Sequence, residues 1–289
     1  SLAGERGIPC IDIGKKCNVN LQITGENELR TGGIRVPDSS VLTVVGDGNL
    51  NSGKYYGIGN SLDEYNGELN FYQDGGIIIN ANGMKGIGIG SGLGGVINIK
   101  RGHYEFDMKG QEGACIGSVN GDSELFIEYC DMDIYSGISN GTIIGSVNGD
   151  ADIKLENISA KLQGAGNIIT GIGTIAGNSC MVRLENVNIS SNIRAKECYG
   201  IGCRAGRTNI YIGYAAVKSV VQGKAAVAFG NSIMSAKLYC SNADIGTNAV
   251  TEFNSDIGAL EKNIQLENGR AEFVLNGQEV KRQILAARL

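Results

Sequence analysis

Short runs of alternating apolar and polar residues recur along the chain, separated by glycine-rich segments. In five of these runs, two apolar residues stand two positions apart. They are Leu125 and Ile127, Ile153 and Leu155, Val182 and Leu184, Ile210 and Ile212, and Leu238 and Cys240. Period-two alternation is typical of a β-strand that buries one side. No stretch keeps the 3.6-residue period of an amphipathic helix, so the pattern predicts an all-β protein.

A Gly-Ile-Gly tripeptide, or a close variant, recurs from end to end and divides the chain into ten units. The units begin near Gly7, Gly33, Gly57, Gly86, Cys115, Ile143, Gly171, Gly200, Ala228 and Asp256. Their second position is apolar and predicts a column of inward side chains that includes Ile8 and Ile87. Their third position is mostly glycine, which fits a bend or a close approach of two backbones.

Units of about 28 residues with short strands and glycine-rich corners predict a parallel β-helix. We expect one domain over residues 1–289, folded as an all-β, right-handed parallel β-helix (solenoid) of about ten coils. A leucine-rich repeat would need an L-x-x-L-x-L frame, and a β-propeller would need longer blades. Residues 272–289 are expected to cap the last coil as a strand, a turn at Asn276-Gly277, and a second strand or short helix.

Composition agrees with a thin core and excludes two classes of partner. The chain has 45 glycines, no tryptophan and 6% aromatic residues. A net charge of −5 gives no electrostatic reason to expect nucleic acid. No apolar run approaches the roughly 18 residues of a membrane-spanning helix, so we expect no membrane insertion.

Eight cysteines raise the question of disulfides. In the predicted register no two neighbouring coils share a cysteine column, and there is no C-x-x-C motif. We therefore expect most of the cysteines to be free, buried thiols that act as small hydrophobic residues. Free thiols fit a reducing compartment such as the cytoplasm, or the exterior of an anaerobe.

The outward positions of the central strand form a predicted column, which we call the stripe. It consists of Phe126, Lys154, Arg183, Tyr211 and Tyr239. Aromatic rings stack on the apolar faces of sugars, and lysine and arginine pair with acidic groups, so the stripe is a candidate polysaccharide site. The alternative is a solvated sheet face on which aromatic residues simply favour strands.

A second column, Glu128, Glu156 and Glu185, runs beside the stripe. Neutralisation of Glu156 by Lys154, and of Glu185 by Arg183, is the simpler interpretation. The alternative is catalytic, because neighbouring coils place carboxyl groups at about the 5–5.5 Å separation of a retaining glycosidase.

The turn sequence SVNGD occurs at 118–122 and again at 146–150. It is expected to stack Asp122 over Asp150, and Glu124 over Asp152. Carboxylate and carbonyl oxygens are the ligands of calcium, so these four acids are a candidate calcium site. The alternative is a pair of solvated acidic turns; no other cofactor is indicated.

Several phrases resemble the glycine-rich β-helix repeats of large surface proteins from Gram-positive gut and cellulolytic bacteria. They are LQITGENEL from Leu21, VLTVVGDGNL from Val41 and the repeated G-I-G-x-x-x-G. The resemblance implies an extracellular or cell-surface, non-catalytic role in adhesion or polysaccharide binding, within a larger multidomain protein. Pectate lyases are similar in fold only, because a cluster of acidic calcium ligands beside a catalytic arginine is missing.

Taken together, the sequence predicts a bacterial cell-surface module that binds a polysaccharide or a cell-surface glycan along the stripe. A passive stalk or spacer is the first alternative. A polysaccharide lyase or glycoside hydrolase, and an intracellular sensor segment suggested by the free thiols, are the others.

Overall fold

A computed structural model of the chain describes residues 8–52, 57–83, 85–232, 234–252, 264–267, 269–275 and 278–285. Within these ranges every regular element is a β-strand, and all strands belong to one hydrogen-bonded sheet. The strands are β1 Ile11–Asp12, β2 Asn18–Ile23, β3 Glu26–Leu29, β4 Ile34–Arg35, β5 Val41–Gly46, β6 Asn49–Ser52, β7 Ile58–Gly59, β8 Glu68–Asn82, β9 Lys85–Ser91, β10 Gly94–Ser118, β11 Asp122–Glu128, β12 Cys130–Ser146, β13 Ala151–Glu156, β14 Ser159–Glu185, β15 Asn188–Gly213, β16 Ala216–Gly223, β17 Ala225–Gly230, β18 Ala236–Ser241, β19 Asp244–Thr251, β20 Ile264–Glu267, β21 Gly269–Leu275 and β22 Gln278–Leu285.

Parallel pairing between successive turns builds a β-solenoid with about 28 residues per turn, which confirms the predicted fold class. Each turn passes three faces, and the longest strands continue around corners. Face 1 contains β1, β4, β7, β9, β17 and segments 112–118, 140–146, 168–174 and 197–203. Face 2 contains β2, β5, β11, β13, β18, β20 and segments 68–73, 94–99, 179–185 and 207–213. Face 3 contains β3, β6, β16, β19, β21 and segments 76–82, 102–110, 130–138, 159–166 and 188–195.

Alternating residues of face 2 fill the interior, as their period predicts. The five predicted apolar pairs are each at most 4% exposed and belong to one continuous core cluster. Because the pairing stays in register from β10 to β18, each side chain stacks on its counterpart in the next turn. The interior is filled mainly by branched aliphatic side chains, and the rings of Tyr104, Phe71, Phe229 and Phe273 are also fully buried in it.

Two unit boundaries and the number of coils differ from the prediction. In the first unit the column residue is Ile11, which pairs with Ile34, and the predicted Ile8 is 49% exposed. In the fourth unit Ile89 pairs with Ile58, because the run G-I-G-I-G offers two registers two residues apart. The predicted Ile87 instead packs against a second, smaller hydrophobic cluster. Face 1 has nine described strands, so the coil count differs slightly from the predicted ten; the predicted start at Asp256 lies outside the described residues.

The glycine column of face 1 depends on the missing side chain. Gly145 has φ of +134°, a conformation that other residues rarely adopt. A methyl group there would overlap the carbonyl oxygen of Gly173 in the next turn, and the same holds from Gly117 to Gly145 and from Gly173 to Gly202. The repeat therefore keeps glycine because adjacent backbones approach closely at this point.

A row of buried polar side chains follows the glycine column. It stabilises the connecting segments between faces 1 and 2. The side chain after the glycine donates to a carbonyl of a nearby turn, as from Ser146 Oγ to Gly121 at 2.7 Å and from Thr174 Oγ1 to Gly149 at 2.8 Å. Asn231 Nδ2 does the same to Gly206 at 2.7 Å. These bonds join one turn to another through their carbonyl groups.

The corner between faces 2 and 3 uses one left-handed residue per turn. These residues have φ between +47° and +54°: Tyr129, Asn157, Asn186, Tyr214 and Asn242. Each donates its backbone N–H to a carbonyl of the next turn, at 2.9 to 3.1 Å. Asparagine tolerates this conformation well, whereas tyrosine rarely adopts it.

The described C-terminal strands form the expected hairpin. β22 pairs antiparallel with β21, and it is a strand and not a short helix. It thereby covers the last face 3 strand, as a cap must. Asn276 and Gly277, where the turn is predicted, lie outside the described residues.

Candidate functional site

The stripe is a real column on face 2. Phe126 pairs with Lys154, Lys154 with Arg183, and Arg183 with Tyr211, which pairs with Tyr239. All five side chains point away from the core, since their strand neighbours are buried. Strand spacing in a sheet places such neighbours about 4.8 Å apart.

The two tyrosines of the stripe stack on one another. The ring centroids of Tyr211 and Tyr239 are 4.9 Å apart and the ring planes differ by 8°. Each ring therefore covers one side of its neighbour. Tyr211 remains 40% exposed, so that ring edges and polar groups of the pair face the solvent. The stacked pair forms an aromatic ridge, which we call the tyrosine ridge. Because each ring holds the other in place, binding a ligand there costs little side-chain entropy of the tyrosines.

The cations of the stripe are both engaged by carboxylates. Lys154 Nζ lies 2.7 Å from Glu156 Oε2, as predicted. The predicted pair of Arg183 with Glu185 is wrong, because Arg183 Nη1 lies 2.5 Å from Asp152 Oδ1 of the preceding turn. All four side chains are partly exposed, so these pairs contribute little to stability and matter mainly for the charge that a ligand meets.

A groove of about 960 Å³ runs along the C-terminal half of the stripe. Its charged lining consists of Lys154, Arg183, Glu156, Glu185 and Glu267, and the tyrosine ridge forms part of its wall. Phe126 lies outside the groove, so the structure brings four of the five stripe residues together there.

The glutamate column supplies a notch in this groove. Glu128, Glu156 and Glu185 follow each other in register, and the column continues through Gly213, Ser241 and Glu267. A methyl group at Gly213 would overlap the Glu185 carboxylate, which therefore leans over the space that the glycine leaves. The notch thus has a floor of Gly213 and Ser241 and carboxylates at both ends.

Two of the three glutamates predicted as catalytic candidates are held by lysines. Glu128 pairs with Lys100, and this hydrogen bond raises the pKa of Lys100. Glu156 pairs with Lys154. In the described part of the chain no cation pairs with Glu185. A catalytic role for this column stays a prediction, and the pairs favour the neutralised interpretation.

The four predicted calcium ligands share a groove of about 830 Å³, but three of the four carboxylates have other partners. Asp122 Oδ1 accepts the Asp150 N–H at 2.8 Å, and Asp150 Oδ1 accepts N–H groups of Asn178 and Ser179 at 2.6 and 3.0 Å. Asp152 pairs with Arg183. Among the described residues, no three histidine, cysteine or acidic side chains are grouped to hold a metal. The calcium site, including Glu124, stays a prediction.

Six of the eight cysteines are buried as free thiols. Burial raises the pKa of Cys115, Cys130 and Cys240 to about 12. It also raises the pKa of Cys198 and Cys203 to about 11. Since the thiolate is the reactive form, these thiols are inert, as the sequence predicted.

Two residues of the groove escaped the sequence prediction. Gln265 continues the stripe after Tyr239, and Glu267 continues the glutamate column. A signal was present, because IQLE at 264–267 repeats the pattern of IKLE at 153–156 and VRLE at 182–185. From the predicted unit start at Asp256 to Ile264 the distance along the chain is shorter than the corresponding distance in earlier units, and this hid the match.

No family model, curated protein or solved structure gives a significant match to this chain. In the described residues there is no helix long and apolar enough to cross a membrane.

Proposed function

We propose that the protein is a non-catalytic module that binds a polysaccharide in the groove along the stripe. The observation that carries this proposal is the tyrosine ridge, Tyr211 stacked on Tyr239, beside an exposed groove with charged and polar side chains of both signs. An extended groove with a rigid aromatic wall and convergent polar groups suits a linear chain of sugars.

The place of the module belongs to the same proposal. The resemblance to glycine-rich repeats supports a bacterial cell-surface protein, with this chain as one part of a larger adhesin. The ligand is then a polysaccharide or a glycan of a host or neighbouring cell. The free thiols fit this location if the exterior is anaerobic.

A passive stalk is the second candidate, favoured by the uniform stacking of turns along the whole solenoid. A spacer has no need of a tyrosine ridge in an exposed groove, which is why binding is preferred. Cleavage is third, since Glu128 and Glu156 are both paired with lysines.

Affinity electrophoresis distinguishes these functions. The protein is run in native gels that contain one of several polysaccharides, and each mixture is assayed for new reducing ends. The proposal predicts retardation by at least one polysaccharide without cleavage. Retardation with new reducing ends would indicate an enzyme, and unchanged mobility in every gel would support the stalk.

A further inference from the structure

We propose that the groove selects an uncharged polysaccharide and rejects polyuronates. This inference rests on the proposed function and names the chemical class of its ligand. It changes the expectation that lysine and arginine of the stripe would pair with acidic sugars.

Both cations of the stripe already have anionic partners. Lys154 lies against Glu156 at 2.7 Å, and Arg183 against Asp152 at 2.5 Å. To reach Arg183, a uronate would have to compete with Asp152 of the neighbouring turn. To reach Lys154, it would have to compete with Glu156, two residues away on the same strand. It would also meet the repulsion of that carboxylate.

The side chains that line the groove have a net negative charge. Its lining has three carboxylates, on Glu156, Glu185 and Glu267, against two cations. In the described part of the chain, Glu185 and Glu267 have no cationic partner. A polyanion that follows the groove therefore meets uncompensated negative charge at the notch.

The hydrogen-bonding groups at the notch suit the hydroxyl groups of a sugar. The Glu185 carboxylate leans over Gly213, and its residue is exposed. A carboxylate accepts hydrogen bonds only. Sugar hydroxyl groups donate to such an oxygen without bringing a charge. The lysine and arginine at the other end offer donors to ring and hydroxyl oxygens. A neutral chain brings no charge that these carboxylates repel, so the groove favours it over a polyuronate.

The test compares retardation of the wild-type protein at low ionic strength in two gels. One contains a neutral β-glucan and the other polygalacturonate. The inference predicts retardation by the β-glucan and none by polygalacturonate. Equal or stronger retardation by polygalacturonate would overturn it and leave the proposed function standing, whereas a failure of both and of a wider neutral panel would remove the proposed function itself.

A gain-of-function variant tests the masking of the cations directly. The double variant Asp152→Asn/Glu156→Gln keeps the side-chain shapes and releases Arg183 and Lys154. We expect it to gain retardation in polygalacturonate. The control is Asp74→Asn/Glu128→Gln, which releases Arg101 and Lys100 outside the groove and should gain none. The same mobility for both variants would contradict the inference.

Discussion

Tyr214 is held in a left-handed conformation that neighbouring turns give to asparagine. Its φ is +47°, against +51° at Asn186 and Asn242 on either side, and the side chain is 64% exposed. Because tyrosine adopts this region less readily than asparagine, we expect Tyr214→Asn to raise the free energy of unfolding by about 1 kcal/mol. Urea unfolding measures the change.

The reverse change, Asn186→Tyr, should lower stability by more than this amount, because it also removes the hydrogen bond from Asn186 Nδ2 to Asn157 Oδ1. If Tyr214→Asn destabilised the protein, the tyrosine would make contacts that outweigh its backbone strain.

Gly145 provides a second test at the scale of one residue. Its φ of +134° and the overlap of any methyl group with the Gly173 carbonyl predict that Gly145→Ala costs about 3 kcal/mol. Gly246 is the control, because no described atom apart from its chain neighbours lies within 4 Å of an added methyl group. We expect Gly246→Ala to be neutral or stabilising by up to about 1 kcal/mol. Equal losses in thermal unfolding would contradict the proposed reason for the glycine column.

Burial could be predicted from the sequence residue by residue, but side-chain partners could not. Alternation fixes which residues face inward, and so Leu155 and Leu184 were correctly placed. Arg183 is long enough to reach Glu185 on its own strand or Asp152 on the previous turn, and the sequence does not distinguish these contacts. The structure selects Asp152.

The acidic turns belong to the scale of elements, since one turn binds the next through its carboxylate. Asp150 accepts two backbone N–H groups of the following turn. We expect Asp150→Ala to cost about 1 kcal/mol, with or without calcium, because these hydrogen bonds are lost. Thermal unfolding in EDTA and in calcium measures this. A calcium-induced stabilisation that disappears in the variant would instead establish the predicted metal site.

The buried thiols make stability depend on alkaline pH. The ordinary thiol pKa is 9.0, and burial raises that of Cys240 to about 12. Above pH 9 the unfolded chain loses these protons and the folded chain keeps them, so the free energy of unfolding falls between pH 9 and 12. Each such thiol contributes up to about 1.4 kcal/mol per pH unit.

Urea unfolding at several pH values checks this dependence, with Cys240→Ala as the comparison. The variant should start from a lower stability, because it creates a cavity, and should then lose less stability per pH unit than the wild-type protein. Parallel pH profiles would show that the Cys240 thiol stays protonated in both states or ionises in both.

Elements were predicted best where one register fits. From the fifth unit onward the Gly-Ile-Gly spacing and the alternation agree, and the pairing of Ile116, Ile144, Ile172 and Ile201 follows the prediction. In the fourth unit G-I-G-I-G fits two registers equally, and backbone pairing with Ile58 decides for Ile89. Local pattern alone contains no information on such a choice.

At the scale of the whole molecule, the solenoid turns a repeat in sequence into columns on a surface. Column neighbours are about 28 residues apart in the chain, yet adjacent in space. The stripe could be predicted because register is regular across face 2. The groove and its notch could not, because they depend on where a small residue such as Gly213 interrupts a column of long side chains.

The most direct test of the binding proposal removes the tyrosine ridge. Tyr211→Ala/Tyr239→Ala is compared in affinity gels with Tyr72→Ala/Tyr135→Ala, whose two tyrosines are each 39% exposed, like Tyr211 at 40%, but lie outside the groove. Circular dichroism and thermal unfolding establish that both variants fold. With a polysaccharide that retards the wild-type protein, binding on the stripe predicts that the ridge variant loses retardation and that the control variant keeps it. Equal retardation of the two variants would contradict a binding site on the stripe.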